Sequence, residues 1–155
     1  MGREVGGLRY RPPHSVLPTR SEPMSSSARR CDPGLKHDRT LTVDDVHTAT
    51  SIGSGDVEVL ATPALLALAE GACCDAVAED LDAEETSVGT WSEVEHLRPV
   101  PVGGTVCAHA TLVGHHGRRL EFTVSVEHDG ETVARVRHRR MLVDRERFLA
   151  GITRG

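Results

Sequence analysis

The sequence predicts an α+β fold in which an antiparallel sheet wraps around one long helix of modest bulk. Three observations carry this. The stretch TPALLALAEGACC, Thr62 to Cys74, is apolar and opens on a helix-start signal. The segments after it alternate apolar and polar residues with period two. The turn formers GG, HHG and HDG fall between those segments. One helix laid on one sheet buries an apolar face of each.

Along the chain, residues 1–34 are rich in Pro, Ser, Gly and Arg and have no periodicity, which predicts a disordered extension, with Met24 an alternative start of translation. The domain is expected over 35–150, and 151–155 as a tail. LKHDRTLTVDDVHTA has the short alternation of a first strand, and SIGSGDVEVLA supplies Gly and Ser breaks. Thr62 then reads as an N-cap and Pro63 as the first helical residue, where the missing N–H of proline costs nothing. The helix is predicted to reach about Leu81, with DAEETS ending it. Strict alternation in TSVGTWSEVEHLRPV places Val88, Thr90, Ser92, Val94 and His96 on one face, and Trp91, Glu93, Glu95 and Leu97 on the other. TVCAHATLV, RRLEFTVSVEH and ETVARVRHRRMLV complete a predicted four-stranded meander. In the last of these Ala134, Val136, His138, Arg140 and Leu142 share a face.

The totals narrow the function. A chain of 155 residues is most simply one domain. Its net charge of −5, spread over both signs, favours neither nucleic acid nor a membrane surface. It has no apolar run of the ~18 residues that suggest a membrane span. The N-terminus has no apolar core of a secretory signal, so a cytoplasmic protein is expected. Cys31, Cys73, Cys74 and Cys107 lack metal-binding spacing and are expected as reduced, buried thiols. Ala64, Ala67, Ala69, Gly71, Ala72 and Ala76 would let the sheet approach the helix closely. The apolar surface left uncovered predicts a homodimer at least.

Three residues could carry chemistry. From position alone Thr62 is a cap, Glu70 a helical carboxylate among Ala, Leu and Cys, and His96 a strand-end histidine. If the His96 face meets the helix, Glu70 and His96 can approach, and a carboxylate beside an imidazole raises its basicity. Such a pair suits hydrolysis of an activated acyl group.

SGDVEVLATPALLALAEGACC, SVGTWSEVEHLRPVPVGGTV, GRRLEFTVSVEHDG and VRHRRMLVDRERF together resemble the fluoroacetyl-CoA thioesterase-like branch of the hotdog thioesterases, over roughly Leu35 to Phe148. That family places a threonine eight positions before a helical glutamate and a histidine twenty-six after it, and Thr62, Glu70 and His96 reproduce both intervals. The resemblance implies these three as catalytic residues. It implies Gly89 as a backbone N–H donor to the thioester carbonyl and Arg140 as a residue near the acyl-CoA. It further implies a dimer with its sites at the subunit interface and no cofactor beyond the coenzyme A of the substrate. One departure stands out: the family's founding enzyme has phenylalanines in a lid before its threonine, whereas IGSGDVEVLA has no aromatic residue, so fluoroacetyl specificity is not implied. LRPVPVGGTV also resembles a segment of MaoC-type enoyl-CoA hydratases, which use an Asp and a His after the helix; no such pair is evident. A non-catalytic acyl-CoA binding module is the third reading.

Helix geometry adds a constraint. Eight residues rise about 12 Å, so Thr62 and Glu70 of one straight helix cannot both touch one thioester carbon. A site shared between protomers is the simplest resolution.

Overall fold

The computed structural model describes residues 31–153, so the expectations for most of the 1–34 extension, including Met24, lie outside the described residues. The fold takes hold before Leu35: Cys31 is fully buried, and the Gly34 N–H donates to the Leu112 carbonyl at 2.8 Å.

Five strands form one antiparallel sheet: β1 (Lys36–Thr42), β2 (Glu85–His96), β3 (Thr105–His116), β4 (Arg119–His128) and β5 (Glu131–Asp144). Their order is β1-β3-β4-β5-β2. The meander therefore has three strands, not the four expected from sequence. β2 crosses to the far side and pairs with β5, leaving its other edge open. The β4–β5 turn is the HDG hairpin, with Asp129 and Gly130 both at positive φ (49° and 78°), as a tight two-residue turn requires.

The long helix α2 (Thr62–Val77) lies across this sheet, mainly over β1 and β3. Leu65, Leu68, Ala69, Ala72, Cys73 and Val77 form its buried face. The opposing sheet face is built in rows that follow the strand register. Ala110, Val124, Val136 and Val94 make one row; Leu112, Phe122, His138 and Ser92 make the next; Leu120, Arg140 and Gly89 make a third. Small alanines at 108, 110 and 134 allow the close approach that the small residues of the helix anticipate. Phe122, 2% exposed, is the bulkiest side chain in this layer. Phe122→Ala is expected to cost about 3–5 kcal/mol of stability, read as a lower urea midpoint, because the cavity cannot fully collapse.

Three local differences from the sequence reading matter. The first strand stops at Thr42, because Asp44 caps a 3₁₀ turn (Asp45–His47) and Thr48 caps a four-residue helix α1 (Ala49–Ile52). The long helix ends at Val77 and continues only as a 3₁₀ turn, Ala78–Asp80. A C-terminal helix α3 (Arg145–Ile152), capped by Asp144 Oδ1 on the Arg147 N–H at 2.8 Å, occupies a stretch expected to be the domain end and tail. Among the described residues no helix is long and apolar enough to cross a membrane. All four cysteines are free, but only Cys31 and Cys73 are buried; Cys74 and Cys107 are partly exposed.

Candidate active site

The start of α2 departs from its expected cap. Ala61 is the N-cap and Thr62 the first helical residue, with no side-chain cap bond. The preceding segment is pinned by the Leu60 N–H to the Val100 carbonyl (2.8 Å) and the Ala61 N–H to the His47 carbonyl (2.9 Å). Held this way, the Thr62 hydroxyl is free of capping and meets His96 Nδ1 at 2.9 Å. His96 reaches it from the last position of β2. The other ring nitrogen, Nε2, is buried and has no hydrogen-bond partner among the described residues. Buried polar atoms are seldom left this way. Burial lowers the pKa of His96 below its ordinary 6.5, opposed by a contact with the Arg98 backbone; that contact does not satisfy Nε2. Thr62, His96, Leu60, Val59 and Ser54 border a cleft of about 330 Å³.

Glu70 sits two turns along the same helix, half-exposed, among different partners. Its Oε1 lies 3.5 Å from His138 Nε2. The sequence reading paired Glu70 with His96; within one chain its imidazole neighbour is His138, a residue that reading left without a role. A histidine next to an arginine on a strand face otherwise made of Ala, Val and Leu was the signal available. His138 is 1% exposed. Its partners assign its tautomer. The guanidinium of Arg140 can only donate, and Nη1 lies 3.0 Å from Nε2. The Trp91 carbonyl can only accept, and it lies 2.9 Å from Nδ1, beside Ser92 Oγ at 2.7 Å. Nδ1 therefore carries the hydrogen and Nε2 the lone pair. The lowered pKa of His138 agrees with a neutral ring: burial is the main cause, the Glu70 carboxylate opposes it and Arg140 adds to it.

Arg140, only 6% exposed, is held from the other side by Ser87, through Nε to the hydroxyl (2.8 Å) and Nη2 to the carbonyl (2.8 Å). Gly89 lies opposite Arg140 in the register. Strict alternation would turn Gly89 away from His96. A register shift between Gly89 and Trp91 corrects this: Thr90 is the extra residue, and Ser87 and Gly89 face inward with Ser92, Val94 and His96, while Val88 and Thr90 leave the face predicted for them. A Cβ at Gly89 would stand 2.9 Å from Glu70 Oε1 and 3.1 Å from His138 Cε1. The missing side chain is what admits the Glu70 carboxylate. Gly89→Ala should displace it and lower the acyl-CoA hydrolysis expected from the sequence on the order of 10²-fold without unfolding the protein, as steady-state rates beside a circular dichroism spectrum would show.

One chain thus presents two clusters, Thr62 with His96 and Glu70 with Gly89, His138 and Arg140. They stand about 12 Å apart along α2.

Residues 43–146 match the family of fluoroacetyl-CoA-specific thioesterases. The chain belongs to that family. Similarity to individual members of the fluoroacetyl-CoA-specific thioesterase family agrees: the chain is 38% identical, over 96 residues, to the fluoroacetyl-CoA thioesterase of Streptantibioticus cattleyicolor, covering 61% of this chain and 68% of that one. A threonine-to-serine variant of the fluoroacetyl-CoA thioesterase, solved with acetyl-CoA, superposes with a TM-score of 0.75 at 28% identity over 79% of this chain and 97% of that chain. A hot-dog-like protein of Thermanaerovibrio acidaminovorans, 20% identical, shares the fold with a TM-score of 0.76 over 84% of this chain and 96% of its own. The sheet wrapped on a single helix is thus the hotdog fold expected from the sequence.

Both histidines should titrate below 6.5. The unfolded chain then takes up protons first as pH falls, so the stability these two groups contribute is complete above about pH 6.5 and is lost as pH drops through their lowered native values. Ring-proton NMR titration of the native protein checks this directly: both midpoints are expected below 6.5, and a midpoint above it would contradict the burial argument.

Proposed function

We propose that this protein is an acyl-CoA thioesterase acting on small acyl-CoAs, with each site built from Thr62 and His96 of one protomer and Glu70, Gly89 and Arg140 of its partner. The observation that carries this reading is the buried Nε2 of His96, left without a hydrogen-bond partner among the described residues and beside the Thr62 hydroxyl on the same ring. The open edge of β2 supplies the geometry. If two copies pair antiparallel along that edge about a two-fold axis, the Gly89 end of one strand lies beside the His96 end of the other. Thr62 and Glu70, too far apart within one chain, then meet across the interface.

In this site water attacks the thioester carbonyl. Glu70 takes the proton from water, a role left open to it because neutral His138 has no N–H to donate to it. His96, held at Nδ1 by Thr62, receives that proton at Nε2 from Glu70 and delivers it to the leaving thiolate, which returns both groups to their starting states. The Gly89 N–H steadies the oxyanion, and such a donor is typically worth about 10²–10³ in rate. Arg140 is buried against Ser87 and His138, which suits a cation that holds the Glu70 cluster in place more than one that meets a coenzyme A phosphate in solvent. No cofactor is needed, since coenzyme A arrives as part of the substrate. The segment beside the cleft, Ile52–Ala61, lacks aromatic residues, so the acyl group is read as small but not specifically fluorinated.

A panel of short acyl-CoAs, followed by thiol release, tests the activity. Release of coenzyme A from at least one member is expected. Hydration of crotonyl-CoA without thiol release would instead favour a hydratase, and tight acyl-CoA binding without turnover a binding module.

A further inference from the structure

The face of the sheet turned away from α2 carries a second cluster, remote from the hydrolytic site. Asp38 on β1 stands directly opposite His109 on β3, and Cys107, two residues earlier on β3, stands opposite Glu127 on β4. His109 Nδ1 lies 2.8 Å from Asp38 Oδ1 and 3.9 Å from Cys107 Sγ. One sulfur, one imidazole nitrogen and one carboxylate oxygen all fall within 4.8 Å of one another. The other ring nitrogen of His109 faces Glu127 Oε2 at 3.7 Å.

We propose that Asp38, Cys107 and His109 form a binding site for a divalent transition-metal cation of the zinc class, with Glu127 behind the histidine. Three features of the cluster support this. The donors are the mixed S, N and O set that zinc accepts, and three protein ligands leave a fourth tetrahedral position to water. Ligands at ordinary zinc bond lengths stand about 3.3–3.7 Å apart. The sulfur-to-nitrogen separation is already near this, and the Asp38–His109 contact needs to open by only about 0.5 Å, within reach of half-exposed side chains. Glu127, 3.7 Å from the outer ring nitrogen, needs only a small side-chain movement to accept its N–H, the contact by which a carboxylate orients a metal-bound imidazole.

The charge balance of the sheet agrees. Elsewhere on this face Glu93 is paired with Arg137, and Glu121 with Arg119 and Arg139. Among the described residues Asp38 and Glu127 have no lysine or arginine partner, only the one histidine between them. Binding moves protons in a definite way. The Cys107 thiol loses its proton to solvent, and the His109 proton shifts from Nδ1 to Nε2 as Nδ1 takes the metal. The sequence conceals such a site because its ligands come from strands 69 residues apart and meet only through the β1–β3 register.

Cobalt(II) titration of the reduced protein tests the proposal. A saturable 1:1 thiolate-to-cobalt charge-transfer band in the near ultraviolet is expected, displaced by zinc, retained in Cys74→Ser and lost in Cys107→Ser. Zinc should also raise the thermal midpoint of the wild-type protein and leave that of His109→Ala unchanged. A missing band, a band that survives Cys107→Ser, or an equal zinc shift in His109→Ala would overturn the site.

Discussion

His96→Ala is expected to lower kcat/KM for acyl-CoA hydrolysis by roughly 10²–10⁴-fold, the usual worth of a positioned acid or base. The loss has two sources. The ring is the only described partner of the Thr62 hydroxyl, at 2.9 Å, so removing it frees a side chain that the chain turns away from its capping role. It also removes the buried Nε2, a polar atom of this cleft with no hydrogen-bond partner among the described residues. His96 is partly exposed at the end of an edge strand, so the substitution should cost little stability. A large fall in rate beside an unchanged urea midpoint separates a chemical role from a structural one. Steady-state kinetics on the best acyl-CoA of the panel makes the measurement; a rate within a few-fold of wild type would remove His96 from the mechanism.

Glu70→Gln should be comparably damaging, roughly 10²–10⁴-fold and mainly in kcat. The amide keeps the shape of the carboxylate and still fits the space opened by Gly89, whose absent side chain leaves 2.9 Å between its would-be Cβ and Oε1. What it loses is the ability to take a proton. If substrate binding is intact, KM stays near wild type while turnover falls. A rise in KM with kcat unchanged would make Glu70 a binding group and not a base.

These expectations rest on parts of the molecule that were unequally legible. The long helix, the strand alternation and the HDG hairpin follow from local chemistry, and the structure places them close to where sequence patterning does. The order of the sheet does not, because nothing in β2 itself says that it will pair with β5 across the molecule and not with its sequence neighbour β3. The bulge at Thr90 was hidden for a related reason. Alternation assumes one residue per pleat, and one extra residue moved Gly89 onto the functional face and Val88 off it. Thr62 was found for its position before a proline and assigned as a cap, yet the tertiary bonds of Leu60 and Ala61 shift the cap back by one residue and free its hydroxyl. His138 lay in plain view on an apolar strand face but gained meaning only when Glu70, Arg140 and Ser92 closed around it from three other elements or positions. Cys107 looked inert for want of a spacing motif, because its neighbours Asp38 and His109 are assembled by strand register and not by sequence interval.

Composite sites have a signature that single-site enzymes lack. His96→Ala and Glu70→Gln damage different halves of the proposed site, so unfolding the two inactive proteins together and refolding them in equal amounts gives about half mixed dimers. In each mixed dimer one site carries both substitutions and the other carries neither. Acyl-CoA hydrolysis should return to about a quarter of the wild-type rate, although neither variant alone is active. If each site instead drew His96 and Glu70 from the same chain, every site in the mixture would keep one substitution, and a mixture no more active than its two components would contradict the shared site.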